Sequence, residues 1–345
     1  ILPALATGNT VVFKPSEIAA YVGQAIAECF LEAGFPPGVF NLVQGEREVG
    51  RRLCVHEGVD GVLFTGSYEV GVRIRQDTLQ QHWKLLVLEM GGKNPAIVWK
   101  DADLNLALHE TLYGAFVSAG QRCTSTSRIL VHADLFEAFV SKFHAKAKAF
   151  AIGHPFEDPF MGPMIEQGAV DRYMKFLGIA TREGAEIIMR GKALQMPGGL
   201  SGNYVTPSVC TISKPTLDSA RKSVYQQTEL LAPNVAIIRI EDDPLAAVEL
   251  ANITQYGMVC SVFTQSRPLF ENMREDLRFG LVNLNRSTVG ASSSLPFGGL
   301  KKSGNYCPTA VSASTYCAHP VSSLESLAEK YDLKPVPGLN WESGK

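Results

Sequence analysis

Short apolar runs alternate with helix-length amphipathic stretches between residues 11 and 89, and that alternation leaves few architectures open. Thr10-Val11-Val12-Phe13 is β-branched and apolar, the composition of a buried strand. Ile18, Val22, Ala25, Ile26, Cys29 and Phe30 then recur at spacings of three and four, the period of one helix face. Gly34 and the Pro36-Pro37-Gly38 turn end that helix. Phe40 to Val43 predicts a second strand, followed by Gly45 and a shorter helix. Val62 to Phe64 predicts a third, running into TGSYEVG and a helix through about Gln80. Leu85 to Leu88 predicts a fourth, ending at Glu89. Strand, helix, strand at this rhythm requires right-handed crossovers, and so an α/β fold with a parallel, doubly wound sheet. Such sheets take ligands beyond the C-terminal ends of their strands. Lys14, Gly45, Gly66 and Glu89 stand at those ends, so one crevice can collect them.

The texture changes from Gly91. Asn94 to Trp99 reads as a strand, and Asp101 or Asp103 can cap the helix that follows, whose apolar face is Leu104, Ala107, Leu108, Leu112, Ala115 and Phe116. That helix ends near Gly120, which leaves Cys123 in the loop before a strand at Arg128 to His132. Asp134 with Glu137 has the form of a capping box for the next helix. Further strands are expected at Val235 to Ile240, Val259 to Thr264 and Leu281 to Leu284. An exposed loop is expected at Met196 to Gly202, and a loose tail from Tyr331. The chain opens ILPALATGNTVVFKPSE, in apolar strand composition within a few residues and without the architecture of a signal peptide, so it reads as entered in mid-domain, truncated on its N-terminal side.

Composition narrows the function classes. With 345 residues, 46% hydrophobic and 19% charged, the chain has length for a large core and two domains. The formal net charge of −2 and the lack of a basic block argue against a nucleic-acid partner. No apolar run reaches the roughly 18 to 20 residues that cross a bilayer. Seven cysteines, odd in number and irregularly spaced, do not suit a secreted disulfide framework, and a reduced, cytoplasmic protein is expected.

Four stretches carry candidate chemistry. In SAGQRCTSTSR (residues 118–128), Cys123 is either a buried small thiol or a nucleophile; its place in a loop beside Arg122, whose guanidinium favours the thiolate, argues for the nucleophile. In LEMGGKNP (residues 88–95), Glu89 is a surface cap or a general base, and Gly91-Gly92 suggests backbone passing close to something bulky. Glu89 precedes Cys123 by 34 residues (123 − 89), a gap one helix can fill while returning the chain to the same cleft. FTGSYEVG (residues 64–71) is not the G-x-G-x-x-G fingerprint, but a helix starting at Ser67 offers free N–H groups to a phosphate. In FKPSE (residues 13–17), Lys14 and Glu17 form either a solvated ion pair or a clamp on adenosine ribose hydroxyls, and the carboxylate would favour NAD over NADP. No metal site is expected.

Together FKPSE, FTGS…G, LEMGGKNP, GQRCT and the later PFGGLKKSGN resemble the aldehyde dehydrogenase superfamily in order and spacing, over nearly the whole chain. Residues 293–326 are most similar to the branch that oxidises N-succinylglutamate 5-semialdehyde in arginine catabolism. The resemblance implies that Cys123 forms a thiohemiacetal and then a thioester, that Glu89 activates water to hydrolyse it, and that NAD is the cofactor. It assigns to cofactor binding Lys14, Ser16, Glu17, Gly45, Gly66, Ser67, Tyr68, Glu69, Val70, Gly71, Met90 and Gly91, with Glu229 on the nicotinamide ribose and Leu231 beside it. It further implies residues 1–90 as the C-terminal part of an NAD-binding domain, 91–300 as an α/β catalytic domain, and 301–345 as a return carrying an oligomerisation strand at Ser312 to Val321, hence a homo-oligomer. Four departures stand out. The oxyanion-hole asparagine of the family lies upstream of Ile1; Leu231 replaces an aromatic; Cys307 stands where an arginine is usual; and Lys301-Lys302 occupy small or apolar positions. Two alternatives remain open at this stage: a catalytically silent remnant of such an enzyme, and a cysteine-dependent esterase or acyl hydrolase without redox chemistry.

Overall fold

The computed structural model describes residues 1–196, 201–327 and 336–339. The expected loop at 196–202 and the tail from Tyr331 therefore lie largely outside the described residues.

Residues 1–89 form helix α1 (Leu2–Ala6), strand β1 (Val11–Phe13), helix α2 (Ala20–Glu32), strand β2 (Phe40–Leu42), helix α3 (Arg47–Val55), strand β3 (Gly61–Thr65), helix α4 (Tyr68–Asp77) and strand β4 (Leu85–Glu89). β1 and β2 pair in parallel, Val11 opposite Phe40. β3 and β4 do the same, with Thr65 opposite Glu89 at their C-terminal ends. No ladder joins the two pairs, so the continuous doubly wound sheet expected here is corrected to two separate parallel ribbons among the described residues. Side-chain packing holds the first ribbon: Phe30 of α2 stacks on Phe40 at 4.2 Å between ring centroids, and Phe40 meets Phe13 at 5.9 Å. The outward sides stay open. Val12, Leu63, and Ile18, Tyr21, Val22 and Leu31 on or before α2 are exposed. Apolar periodicity shows which face of a strand wants burial but not which edge will be paired, and here each strand pairs once.

The remainder builds a larger layer. In chain order come β5 (Asn94–Val98), α5 (Leu104–Phe116), β6 (Thr126–His132), α6 (Ala133–Lys148), α7 (Gln167–Arg182), β7 (Glu186–Met189), β8 (Ser208–Ile212), α8 (Leu217–Lys222), α9 (Val224–Gln227), β9 (Asn234–Ile240), α10 (Pro244–Asn252), β10 (Tyr256–Gly257), β11 (Val259–Phe263), α11 (Arg267–Asp276) and β12 (Leu281–Leu284). Seven of these strands form one sheet in the order β12-β11-β5-β6-β9-β8-β7, parallel throughout except for the edge strand β7. Helices cover both faces. Ile97, Leu130 and Ile238 point to one apolar layer with α7, α10 and α11, while Val98, Ile129, Val131 and Ile237 point to the other with α5 and α6. That two-sided burial is why β6 and β9 read as nearly continuous apolar runs.

Local caps settle two expectations. Asp103 caps α5, accepting from the N–H groups of Asn105 (2.9 Å) and Leu106 (3.0 Å). Asp101 instead accepts from Thr264 Oγ1 at 2.7 Å and ties the end of β5 to the end of β11. The capping box at Asp134 and Glu137 does not form. The chain turns helical directly out of β6, so His132 is the cap, its Nδ1 accepting from Asp134 N–H at 3.2 Å, and Asp134 falls inside the first turn.

The C-terminal part holds β13 (Pro296–Phe297), β14 (Leu300–Lys301), β15 (Thr309–Ala310) and α12 (Ala313–Tyr316). The oligomerisation strand expected at Ser312 to Val321 is thus corrected to a helical turn followed by irregular chain. Local hydroxyl bonds favour the turn: Thr315 Oγ1 donates to Ser312 O (2.7 Å) and Ser314 Oγ to Val311 O (3.1 Å). Asn9 Nδ2 and Thr7 Oγ1 then hold Cys317 O at 2.7 and 3.3 Å, fastening this turn to the start of the chain. No described helix is long and apolar enough to cross a membrane.

Candidate active site

The loop that carries Cys123 begins with strain. After α5, Ser118, Ala119 and Gly120 all take positive φ (55°, 54° and 65°). Such residues persist only where surroundings over-determine them. Gly120 is required, since a Cβ there would lie 2.3 Å from Ala232 O. A turn follows, closed by Ser125 N–H on Arg122 O (3.0 Å) and by Arg122 N–H on Ser125 Oγ (3.3 Å). A buried amide from β5 fixes this turn. Asn94 Nδ2 donates to Cys123 O (2.7 Å) and Ser125 O (2.9 Å), while its Oδ1 accepts from Val259 N–H (3.2 Å). The Gly91-Gly92 pair makes the close approach its sequence suggested. A Cβ on Gly92 would meet Cys123 O at 2.3 Å, and one on Gly91 would meet Glu229 Oε2 at 2.0 Å.

Glu89 ends β4 against the segment 298–305. Met90 N–H donates to Ser303 O (2.9 Å), Glu89 bridges Gly304, and the Asn305 side chain continues the ladder, accepting from Leu88 N–H (3.0 Å) and donating to Leu86 O (2.8 Å). Ser303 Oγ accepts from Gly257 N–H at 2.9 Å, joining the segment to β10. Lys301 and Lys302 gain an explanation here. Lys301 Nζ donates to Asn252 O (3.2 Å) and Thr254 O (3.0 Å) at the end of α10, and Lys302 Nζ stands 4.7 Å from the Tyr68 ring at the start of α4. The two lysines pin the segment from either side.

The site is acidic and partly screened from solvent, with Glu89 buried and Cys123 and Glu229 half-buried. Burial, opposed by the Gly299 N–H, pushes the Glu89 carboxyl up to about 8, so it is largely neutral at pH 7. Burial likewise pushes Glu229 up to about 7, against the Gly92 N–H, which donates to its Oε1 at 2.7 Å, and against Lys93. Burial first, then the charges of Glu229 and Glu89, push the Cys123 thiol up to about 11, although the N–H groups of Cys123 and Thr124 hydrogen-bond the sulfur. The thiol and the two carboxyls therefore share one electrostatic neighbourhood. Arg122 does not assist. Its Nε donates to Ser118 Oγ at 3.0 Å, so the guanidinium serves the loop, and the expectation that it lowers the thiol is corrected.

On the nucleotide side the expected residues fall in two groups. Ser67 caps α4 through its Oγ, accepting from Val70 N–H at 3.3 Å, which leaves the first N–H groups of the helix, at Tyr68 and Glu69, without intrahelical partners. Met90 Sδ lies where a Cβ of Gly71 would be, which sets this helix start beside the Glu89–Gly91 bend. The second group lies at the ends of β1 and β2: Lys14 Nζ is 3.7 Å from Glu17 Oε2, Ser16 caps the short turn after them, and Gly45 leads into α3. No hydrogen bond or ion pair joins the two groups among the described residues. Leu231, at φ 49°, lines a cavity of about 20 Å³ with Gly92, Lys93, Arg122, Glu229 and Asn234, room for one water. The helix terminus suits phosphate, and the Lys14–Glu17 pair suits ribose hydroxyls, so the donor set fits a dinucleotide.

Several side chains around the site escaped the sequence reading. Lys93 is fully buried, held near neutrality at about 7 by burial and by Arg128, with its Nζ 5.0 Å from the Tyr225 ring. Asn94 and Asn305 position Cys123 and Glu89. A signal existed: both asparagines interrupt apolar or glycine-rich stretches already quoted, and a polar residue in a fully buried strand demands a partner. No group of His, Cys, Asp and Glu side chains suited to a metal occurs among the described residues.

An α/β protein with helices on both faces of its main sheet, and a thiol-bearing loop sharing an acidic neighbourhood with two carboxyls beside a helix N-terminus, is the class that fold and site define. Residues 1–315 match the aldehyde dehydrogenase family, and the chain belongs to that family. It is 38% identical over 344 residues to the N-succinylglutamate 5-semialdehyde dehydrogenase of Hahella chejuensis, covering 99% of this chain and 68% of that protein. The protein of the same name from Escherichia coli is 36% identical over the same shares. Among solved structures, the gamma-glutamyl-gamma-aminobutyraldehyde dehydrogenase of Burkholderia cenocepacia superposes with a TM-score of 0.83 at 35% identity, covering 90% of this chain and 62% of that one. Betaine aldehyde dehydrogenase from Staphylococcus aureus, in complex with NAD+, does so with a TM-score of 0.84 at 32% identity, covering 91% and 61%. The chain thus spans about two thirds of its curated relatives and somewhat less of the solved chains.

Proposed function

We propose that this chain carries the nucleophile and base of an NAD-dependent dehydrogenase acting on N-succinylglutamate 5-semialdehyde or a related semialdehyde, in cytoplasmic arginine catabolism. The supporting observation is the convergence of Cys123, Glu89 and Glu229 on one buried neighbourhood beside the start of α4. Cys123 releases its proton to solvent and its sulfur attacks the aldehyde carbon, the carbonyl oxygen taking the negative charge with the Cys123 N–H as one donor. NAD, when bound, would supply the hydride acceptor for oxidation to the thioester. Glu89, ionised near pH 8, then takes a proton from the water that cleaves the thioester, releasing the carboxylic acid and restoring the thiol. Tyr68, Glu69 and Val70, with Gly66, Ser67 and Gly71, would hold the pyrophosphate; Lys14, Ser16 and Glu17, with Gly45, would hold the adenosine ribose; Glu229, Met90, Gly91 and Leu231 would border the nicotinamide end. Glu17 disfavours a 2′-phosphate. Homo-oligomerisation belongs to this reading as well, without the 312–321 strand.

The high thiol and the two unjoined ribbons favour a second reading, a weakly active or silent member of the family. Incubation with NAD and the semialdehyde, following reduced nicotinamide, separates them. Cys123-dependent formation of reduced cofactor is the expected result, and its absence in a folded chain that binds NAD favours the silent reading.

A further inference from the structure

One polar atom of the candidate base and one on α12 lack partners among the described residues. Glu89 Oε2 and the Tyr316 hydroxyl are both sealed from solvent, and neither makes a hydrogen bond among the described residues. The fold brings their elements together. A Cβ on Gly298 would lie 3.0 Å from Glu89 Oε1 and 2.9 Å from Pro308 Cα, so the carboxyl rests on the β13–β15 hairpin. Helix α12 leaves that hairpin three residues after β15, buries Ala313, and ends on Tyr316. Cys123 from its loop, Cys307 from the hairpin and Tyr316 from α12 each feel the Glu89 charge. None is a cation, and thiols are weak donors. A phenol is the one good side-chain donor in the set.

We propose that Tyr316 is a positioning residue whose hydroxyl donates to the Glu89 carboxylate when it ionises, and so sets the pH at which the thioester is hydrolysed. This rests on the reading of Cys123 as nucleophile and Glu89 as base. The neutral carboxyl tolerates the isolation that burial imposes, because it carries no charge to satisfy. Ionisation changes that: the Gly299 N–H favours the carboxylate, yet Oε2 still has no donor among the described residues and needs one. The helical turn at 313–316 matters for this reason, since an extended strand there would carry the side chain elsewhere.

The test needs no nucleotide. With p-nitrophenyl acetate, the burst of nitrophenolate reports acylation of Cys123, and the slow phase reports hydrolysis of the acyl-enzyme. Tyr316→Phe should keep the burst and move the midpoint of the slow phase upward by about one pH unit. Glu89→Gln should remove that pH dependence, and adding Tyr316→Phe to it should change nothing further. An unmoved midpoint in Tyr316→Phe, or an equal loss in both backgrounds, overturns the proposal. A chain without substitutions that gives no Cys123-dependent burst overturns the nucleophile and base reading, and this inference with it. Should Tyr316→Phe not fold, infrared titration of the unsubstituted chain decides. The Glu89 carboxyl band, assigned by its loss in Glu89→Gln, must titrate together with a tyrosine C–O band, and a carboxyl titration without one overturns the proposal.

Discussion

Residues 1–89 and residues 94–284 are written in the same alternation of strand and helix, yet they fold to different degrees of completeness. The second stretch closes seven strands into one sheet with an apolar layer on each face, and its strand residues Ile97, Leu130 and Ile238 are fully buried. The first makes two ribbons of two strands, with Val12 and Leu63 exposed on them. Element type follows from local periodicity, whereas burial follows from the number of neighbours a strand acquires. The chemistry divides along the same line. Cys123, Glu89 and Glu229 gain their shifted protonation from burial beside the large layer, while the Lys14–Glu17 pair stands at the edge of an open ribbon.

The largest expected effect is at the nucleophile. Cys123→Ala should abolish acylation by an aldehyde or activated ester, read by intact mass, while thermal unfolding stays close to that of the unsubstituted chain. Persistent labelling would transfer the chemistry to another thiol and break the assignment of the site to the large layer. Next comes the direct contrast in burial. Phe143→Ala, in the layer beneath α6, should cost about 3–5 kcal/mol by denaturant titration, whereas Val12→Ala should stay within about 0.5 kcal/mol. Similar losses at both positions would mean the ribbons are covered in solution.

The carboxyl offers a pH test. Its folded-state value lies above the ordinary one, so folding favours protonated Glu89, and the chain loses this contribution as pH rises from about 4.5 toward about 8. Glu89→Gln should therefore stabilise the protein more at pH 8.5 than at pH 5, by on the order of 2–4 kcal/mol, measured as a difference in unfolding free energy. An equal effect at both pH values would place Glu89 in water. Smallest is Ser67→Ala, which removes the cap of α4 and should cost about 1 kcal/mol while weakening NAD binding in a thermal-shift titration. Unchanged binding would separate the helix start from the cofactor.

How much was legible follows from the range of each interaction. The strands β1 to β6, β9, β11 and β12, the loop position of Cys123 and the close approach at Gly91-Gly92 could be read because each depends on neighbours a few residues away or on a residue type with one physical use, whereas α7, β7, β8, α8 and α9 carried no pattern that was read. The direction of Arg122 could not. A guanidinium next to a thiol in sequence suggests a thiolate, but its long side chain turned to Ser118, and burial, with the charges of Glu229 and Glu89, raises the thiol instead. The cap of α6 passed from Asp134 to His132 because the helix began two residues sooner than composition suggests. At 312–321, hydroxyls that bonded nearby carbonyls turned an expected strand into a helical turn.

The amino-acid sequence by itself determined the alternation of elements, the two apolar faces of each central strand and the small set of residues able to act as nucleophile, base or phosphate cradle, because these are local properties of side-chain period and backbone freedom. Tertiary structure alone decided which edges pair and which carboxyls face the sulfur, and it alone bound Lys301, Lys302, Asn94 and Asn305 into the site. Hydrogen bonds and desolvation act through space over a few ångströms, and positions 94, 229 and 303 become neighbours only once the chain has closed on itself.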